Sequence, residues 1–389
     1  MPHSAKKNRI LVVVLYPLGG IRTYLLHNFI TLKDSGYEFT FVAPRGEAFE
    51  SFKQDTCDWP GVEYVDASIH NGHCRLRQAL RQTLKTSRFS LIHSQGLRAG
   101  VEVEITNYFA RIPHLLTLHD TRHESEFIGV SGKFKKQIVS FFSSRIDVII
   151  PVSHDCKSNH LDFFPGWKKS RCSIHVIQNG VDVPRLLWQA EQHHARSLRA
   201  EFTWDSSIKV LGYFGRFMPE KGFLVLLDAL RILASRGYAD KLRLVAIRDP
   251  YGYRGEYMRE VKNDETLSAM VCFVDPVPTI EPLLSQIDLL VMPSLREACP
   301  LLPMEAMVLG VPVVGSDAIG LREVLRETPS MTPPAGEPAA LANAIEQAIR
   351  LPCKQQAELF APVAQTRFDN QVAANNLLEL YSRVAIECV

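Results

Sequence analysis

One pattern occurs twice in this chain. Residues 10–15 form an unbroken apolar run, ILVVVL, that reaches Gly19-Gly20 and then passes into Leu25, Leu26, Phe29 and Ile30 at helical spacing. Residues 209–214 repeat it: an apolar run is closed by Gly215 and followed by the helical pattern of residues 223–234. A strand that is apolar at every position is buried on both faces, which is characteristic of parallel sheets whose strands are joined by helical crossovers. Further short apolar runs at 38–43, 91–93, 115–118, 148–151 and 175–177, and at 242–247, 271–274, 289–292 and 311–314, continue the two series. The reading is α/β, with the same architecture built twice.

A chain of 389 residues, 46% hydrophobic, is long enough for two cores. The expected organisation is a first domain over residues 1–183, a second over 184–369, and an amphipathic closing helix over 370–389. The polar, strand-poor stretch 184–207, including 189–200, reads as the connection.

Charge separates the halves. Residues 1–183 carry 23 Lys and Arg against 17 Asp and Glu, and the remainder 21 against 25, so the basic half should meet an anionic partner. The modest overall charge offers no broad basic face for nucleic acid. Eight cysteines without a CxxC pair or zinc-type spacing read as reduced thiols of a cytoplasmic protein. No cleavage site follows the first apolar run, and no window approaches a bilayer-spanning length.

The glycines Gly19 and Gly20 allow a tight turn before a helix whose first N–H groups are unpaired, which suits a phosphate; a plain turn is an equal reading. Leu18 and Thr23 break the GxGxxG spacing and so count against a dinucleotide. In the second series Arg216 follows Gly215, and Lys221-Gly222 precedes the helix. Two cations on a strand-end turn suit a pyrophosphate, although a solvated loop would look the same. The stretch SLREACPLLPMEAMVLGVPVVG, residues 294–315, places Glu297 in a loop and Glu305 early on a helix expected to start near Pro300. Carboxylates accept paired hydrogen bonds from adjacent hydroxyls, as sugars present them.

These residues, with Ala306-Met307, Gly310, Pro312 and the later GLRE of residues 320–323, resemble the nucleotide-sugar glycosyltransferases of family 4. His119-Asp120, Val152-Ser153 and Asn179-Gly180-Val181-Asp182 fall in the order expected of that family, so the resemblance covers nearly the whole chain. It implies the GT-B fold: two Rossmann-like domains facing a cleft, with the C-terminal helix returning to the first. It also implies a retaining hexosyl transfer from a nucleoside diphosphate sugar to a hydroxyl acceptor, with no metal or other cofactor. Glu305 would hold the ribose hydroxyls, Glu297 the donor hexose, and Arg216 and Lys221 the diphosphate. Leu301 and Leu302 would lie along the donor, Gly19 and Gly20 beside its phosphates, and His119 near its sugar; His119, Arg216, Lys221 and Glu297 form the implied catalytic set. The acceptor would be a glycan or a lipid-linked precursor of lipopolysaccharide, O-antigen, capsule or exopolysaccharide.

The chain departs from relatives at Ala298-Cys299-Pro300, where Gly-Phe-Gly is common, at the turn 246–252, and at Asp275-Pro276. Rival readings are an epimerase or phosphorylase on the same fold, and a non-catalytic nucleotide-sugar-binding subunit. Two basic segments suggest peripheral contact with the inner face of an anionic membrane. In residues 75–88, Arg77, Arg81, Lys85 and Arg88 recur at helical spacing; in residues 131–145, Lys133, Lys135 and Lys136 interleave with Phe134, Ile138, Phe141 and Phe142. Ordinary domain helices with solvated charged faces are the equal alternative.

Overall fold

The computed structural model describes residues 9–70, 73–192, 197–248, 254–277 and 279–386. It divides the chain into two compact units, Met1–Gly180 with Asn370–Val389, and Val181–Asp369.

In the first unit β1 (Arg9–Val14), α1 (Gly19–Leu32), β2 (Glu38–Pro44), α2 (Glu47–Asp55) and β3 (Val62–Ala67) are followed by a short antiparallel ribbon, β4 (Ile69–His70) and β5 (His73–Cys74). Then come α3 (Leu76–Thr86), β6 (Leu91–Gln95), α4 (Leu97–Asn107), β7 (His114–Leu118), α5 (Gly129–Ser143), β8 (Val148–Pro151), α6 (His154–Phe163) and β9 (Ser173–Ile174). The seven-stranded sheet has the order β3-β2-β1-β6-β7-β8-β9, parallel throughout. One face packs Tyr24, Leu25 and Phe29 of α1 against Phe39 and Phe41, with the Phe29 ring 5.1 Å from Phe39 and 5.4 Å from Phe41. The other face buries Leu76 and Leu80 of α3 and Ala99 and Val103 of α4.

The second unit opens with α7 (Val183–Gln192) and α8 (Leu198–Glu201), then β10 (Lys209–Tyr213), α9 (Phe223–Leu233), β11 (Leu242–Ile247), α10 (Arg254–Lys262), α11 (Glu265–Met270) and β12 (Val271–Val274). It continues with α12 (Glu281–Leu284), β13 (Leu289–Met292), α13 (Leu302–Val308), β14 (Val313–Gly315), α14 (Leu321–Leu325), α15 (Pro338–Arg350) and α16 (Cys353–Arg367). Its five-stranded parallel sheet runs β12-β11-β10-β13-β14. Phe223, Leu226, Leu227, Leu230 and Leu233 of α9 recur at three- and four-residue intervals and form one buried stripe over it.

The last helix, α17 (Asn370–Ile386), belongs to the first unit. Ala373, Ala374, Leu377, Leu380 and Tyr381 enter the same core as α1, and burying each large side chain is worth roughly 1.5–3 kcal/mol. The chain thus builds two parallel-sheet α/β domains, and its final helix returns to the first.

Several elements differ from the sequence reading. Residues 184–207 hold α7 and α8 rather than a bare connection, with 193–196 outside the described residues. The last strand of the first sheet lies at Ser173–Ile174, and its expected residues only extend along β8, His175 N donating to the Ile149 carbonyl at 3.0 Å and Ile177 N to that of Pro151 at 3.1 Å. β14 begins two residues later than the apolar run does, because Pro312 lends only its carbonyl, to Leu290 N at 2.9 Å. Much of the turn 246–252 falls outside the described residues.

Candidate active site

In the second sheet the strand order reverses between β10 and β13. Crevices outside the carboxyl ends of strands at such a switch point are where open α/β sheets bind ligands. The loops leaving these two strands carry most of the polar residues singled out above. After β10, Arg216 is exposed and its carbonyl accepts a bond from the Tyr213 hydroxyl at 3.1 Å, while residues 219–221 form a single 3-10 turn that ends at Lys221. Gly222 then adopts φ +69°, and a Cβ there would lie 1.9 Å from the Pro293 carbonyl oxygen, so this turn touches the exit of β13 backbone to backbone.

After β13, Glu297 is 9% exposed. Lys221 Nζ donates to Glu297 Oε1 at 2.7 Å and to Oε2 at 2.8 Å, and the buried Ser294 hydroxyl donates to Oε1 at 2.9 Å. A buried carboxylate needs such partners, since an unpaired charge in that position would be strongly disfavoured. Gly320 closes the loop from behind: at φ +77°, a Cβ would stand 2.5 Å from the carbonyl oxygens of both Glu297 and Ala298. Glu297 N donates to the Ile319 carbonyl at 3.0 Å.

α13 begins at Leu302, with Pro303 rather than Pro300 in its first turn and Leu301 at its N-cap. Glu305 lies on this helix and is buried. Burial, reinforced by the charge of Glu281 and opposed by that of Arg185, raises its carboxyl from 4.5 to about 8. Arg185 and Glu281 belong to α7 and α12, which pack on one another. Glu281 Oε2 finds no hydrogen-bond partner among the described residues. Glu305 is therefore held as a neutral acid, able to donate one hydrogen bond and accept others.

In the first unit the strand order reverses between β1 and β6. Gly19 and Gly20 are exposed as the first residues of α1, just beyond β1; Gln95 ends β6, and His119 directly follows β7. His119 Nε2 meets Gln95 Oε1 at 2.8 Å, which fixes Nε2 as the protonated nitrogen and leaves Nδ1 as an acceptor. The Tyr24 ring packs edge-on at 4.6 Å. Burial lowers the His119 imidazole to about 4 against a weaker opposing effect of Asp120, so it is neutral at physiological pH. Behind it runs a buried network: Tyr24 bonds Thr117, Thr117 Oγ1 meets His93 Nε2 at 2.7 Å, and His93 Nδ1 meets the Tyr381 hydroxyl of α17 at 2.7 Å.

Of the residues read from the sequence, the structure joins Lys221 to Glu297 directly and puts Arg216 on the same loop. It sets Leu301, Leu302 and Glu305 on the next segment, and gathers Gly19, Gly20 and His119 in the first unit. Sequence reasoning missed Ser294, Gln95, Tyr24, Arg185 and Glu281. Ser294 and Gln95 had a signal: each is a polar residue at the end of an apolar run.

A family profile described as "Glycosyltransferase Family 4" matches residues 18–185, and one described as "Glycosyl transferases group 1" matches residues 208–350. The D-inositol 3-phosphate glycosyltransferase of Corynebacterium urealyticum is 28% identical over 305 residues, 75% of this chain and 71% of that one. The alpha-maltose-1-phosphate synthase of Mycolicibacterium smegmatis is 25% identical over 248 residues, 61% of this chain and 62% of that one. Among solved structures, HepE of Anabaena in complex with UDP-glucose superposes with a TM-score of 0.77 at 21% identity, covering 96% of this chain and 99% of HepE. At that identity the superposition speaks for the fold, which is GT-B. With two profiles accounting for both halves, the chain belongs to the group 1, or family 4, glycosyltransferases.

Proposed function

We propose that this chain is a retaining, metal-independent hexosyltransferase that uses a nucleoside diphosphate sugar and a hydroxyl acceptor on a glycan or lipid-linked precursor of a cell-surface polysaccharide. The observation that carries the reading is the switch-point arrangement in the second unit, where Lys221 is fixed on Glu297 beside the exposed Arg216. Arg216 and Lys221 would take the diphosphate, Glu297 the hexose hydroxyls and Glu305 the ribose hydroxyls, with the backbone at Leu301 and Leu302 along the donor. Gly19 and Gly20 would face the phosphates, and neutral His119 would accept a bond from a sugar hydroxyl through Nδ1. HepE, of the same fold, is solved with UDP and with UDP-glucose, which favours a uridine donor.

In the reaction the bond from the anomeric carbon to the phosphate oxygen breaks and its electron pair leaves on the diphosphate. The acceptor oxygen forms the new bond on the same face and passes its proton to the departing phosphate. Fixed cations stabilise the charge as it develops, in a site that needs no reorganisation. Peripheral attachment to the inner face of a membrane would bring the enzyme to a lipid-linked acceptor.

The test is mass spectrometry of purified protein with a panel of nucleotide sugars, with and without hydroxyl acceptors. Acceptor-dependent release of one nucleoside diphosphate is expected. Turnover of donor alone into an isomer would indicate an epimerase, and binding without turnover a non-catalytic subunit; either result would overturn the proposal.

A further inference from the structure

We infer that the outward face of α5 is a docking surface for an anionic lipid bilayer. In this 15-residue helix only Gly132 and Ser143 are buried. Four of its apolar residues are turned away from the protein, Val130 being 87% exposed, Phe134 63%, Phe141 55% and Ile138 37%, and Ile128 just before it is 72% exposed, while Val139 and Phe142 are half-buried. At 100° per residue, positions 130, 134, 138 and 141 fall on one stripe, with Lys133 to one side and Lys135 to the other.

The opposite side of the helix is the one anchored to the protein. Trp167 Nε1 donates to Ser143 Oγ at 2.8 Å, and a Cβ at Gly132 would lie 2.4 Å from the Phe127 carbonyl carbon. Phe109, just past the end of α4, is also 92% exposed, and its neighbour Tyr108 lies under the Arg145 guanidinium at 4.4 Å.

The charge pattern selects the occupant. α5 carries Lys133, Lys135 and Lys136 and no acid, and exposed Lys168 and Lys169 sit beside Trp167, on which the helix rests. In the turn before α5, Glu126 is paired with Arg122 at 2.9 Å, and Glu124 is exposed. An apolar stripe bordered by ammonium groups on a convex helix fits the boundary between headgroups and acyl chains, where aromatic and aliphatic side chains enter and lysines meet phosphates.

α3 is the built-in contrast. Its Leu76 and Leu80 are buried, and Arg77 pairs with Glu102 on α4. Of the two basic segments, α3 is an ordinary domain helix and only α5 faces its apolar stripe outward.

The experiment sediments the full-length protein with phosphatidylcholine vesicles, with or without phosphatidylglycerol, at low and high salt. It is expected to pellet with the anionic vesicles and be released by salt. Each lysine near such a surface is worth about fivefold in partitioning, so Lys133→Glu with Lys135→Glu should lower it by at least about tenfold. Phe134→Ser with Phe141→Ser should lower it at every salt concentration. Arg81→Glu with Lys85→Glu on α3 makes the same net-charge change and should leave it within about twofold. UDP binding by calorimetry checks that each variant is folded and tests the donor reading separately.

Equal partition onto both vesicle types, no partition, or an equal loss in the α3 variant would overturn the proposal. So would a concentration-dependent dimer dissolved by the α5 substitutions, since the stripe would then belong to a second copy.

Discussion

Lys221 grips Glu297 by both carboxylate oxygens, at 2.7 Å and 2.8 Å, although the two residues lie 76 positions apart on loops from different strands. Glu297 is the more buried partner, with its side chain 8% exposed against 23% for Lys221, so the ammonium keeps one side open. A diphosphate could share that open side without displacing the carboxylate, and the pair then positions a cation and a hydroxyl acceptor side by side.

Removing either partner should therefore hurt transfer. Lys221→Ala loses a charge-assisted bond and leaves Glu297 with Ser294 alone, a loss of about 1.5–3 kcal/mol in the transition state. That corresponds to a tenfold to hundredfold fall in kcat/KM. Steady-state kinetics on Lys221→Ala and Glu297→Gln check it, and turnover like the parent at both limiting and saturating donor would remove these residues from the site.

Glu305 gives the second unit an alkaline liability. Its carboxyl is raised from 4.5 to about 8, so between those values the folded form holds a proton that the unfolded form has released. Its contribution is complete below 4.5, declines as pH rises toward 8, and is gone above it. Glu305→Gln should flatten this dependence, gaining a few kcal/mol relative to the parent near pH 8 in urea titrations while weakening UDP binding. An unchanged slope with pH would show that Glu305 is ionised in the folded protein.

What the sequence made legible follows from burial. Strands covered on both faces, such as β11 at Leu242–Ile247 and β13 at Leu289–Met292, are continuous apolar runs and were found at their true ends. β3 was missed because it is an edge strand, VEYVDA, with only Ala67 buried. Lys221 and Glu297 were legible as types in a motif, but their direct bond was not, because it depends on the adjacency of β10 and β13. The raised carboxyl of Glu305 was likewise invisible: it arises from burial and from Glu281, on another helix.

The first unit should be sensitive at the opposite end of the pH scale. Burial lowers His93 from 6.5 to about 3 and His119 from 6.5 to about 4. Their contribution is present above 6.5 and is lost as pH falls through the folded values, because the unfolded chain takes up the protons first. Two-dimensional NMR of the imidazole rings should show both neutral down to about pH 5. A His119 midpoint near its ordinary value would show that burial does not hold the ring neutral through mildly acidic pH.

Stereochemistry and metal dependence decide the mechanism. Arg216 and Lys221 supply two positive charges on one loop, and no Asp-x-Asp pair occurs in the chain to hold a divalent ion against the diphosphate. Charge leaving with the phosphate would then be met by protein cations alone, so transfer should survive EDTA with its rate unchanged within about twofold. Inversion requires a general base opposite the leaving group, which would draw the acceptor proton away from the phosphate face. Glu297 is an unsuitable base, because Lys221 and Ser294 already occupy its oxygens. In the proposed mechanism the departing phosphate is the proton acceptor, which would put the incoming oxygen on the same face as the leaving one. Proton NMR of the first product formed from an α-linked donor should show an α-anomeric coupling. A β-linked first product, or activity lost on chelation and restored by manganese, would rule out the mechanism.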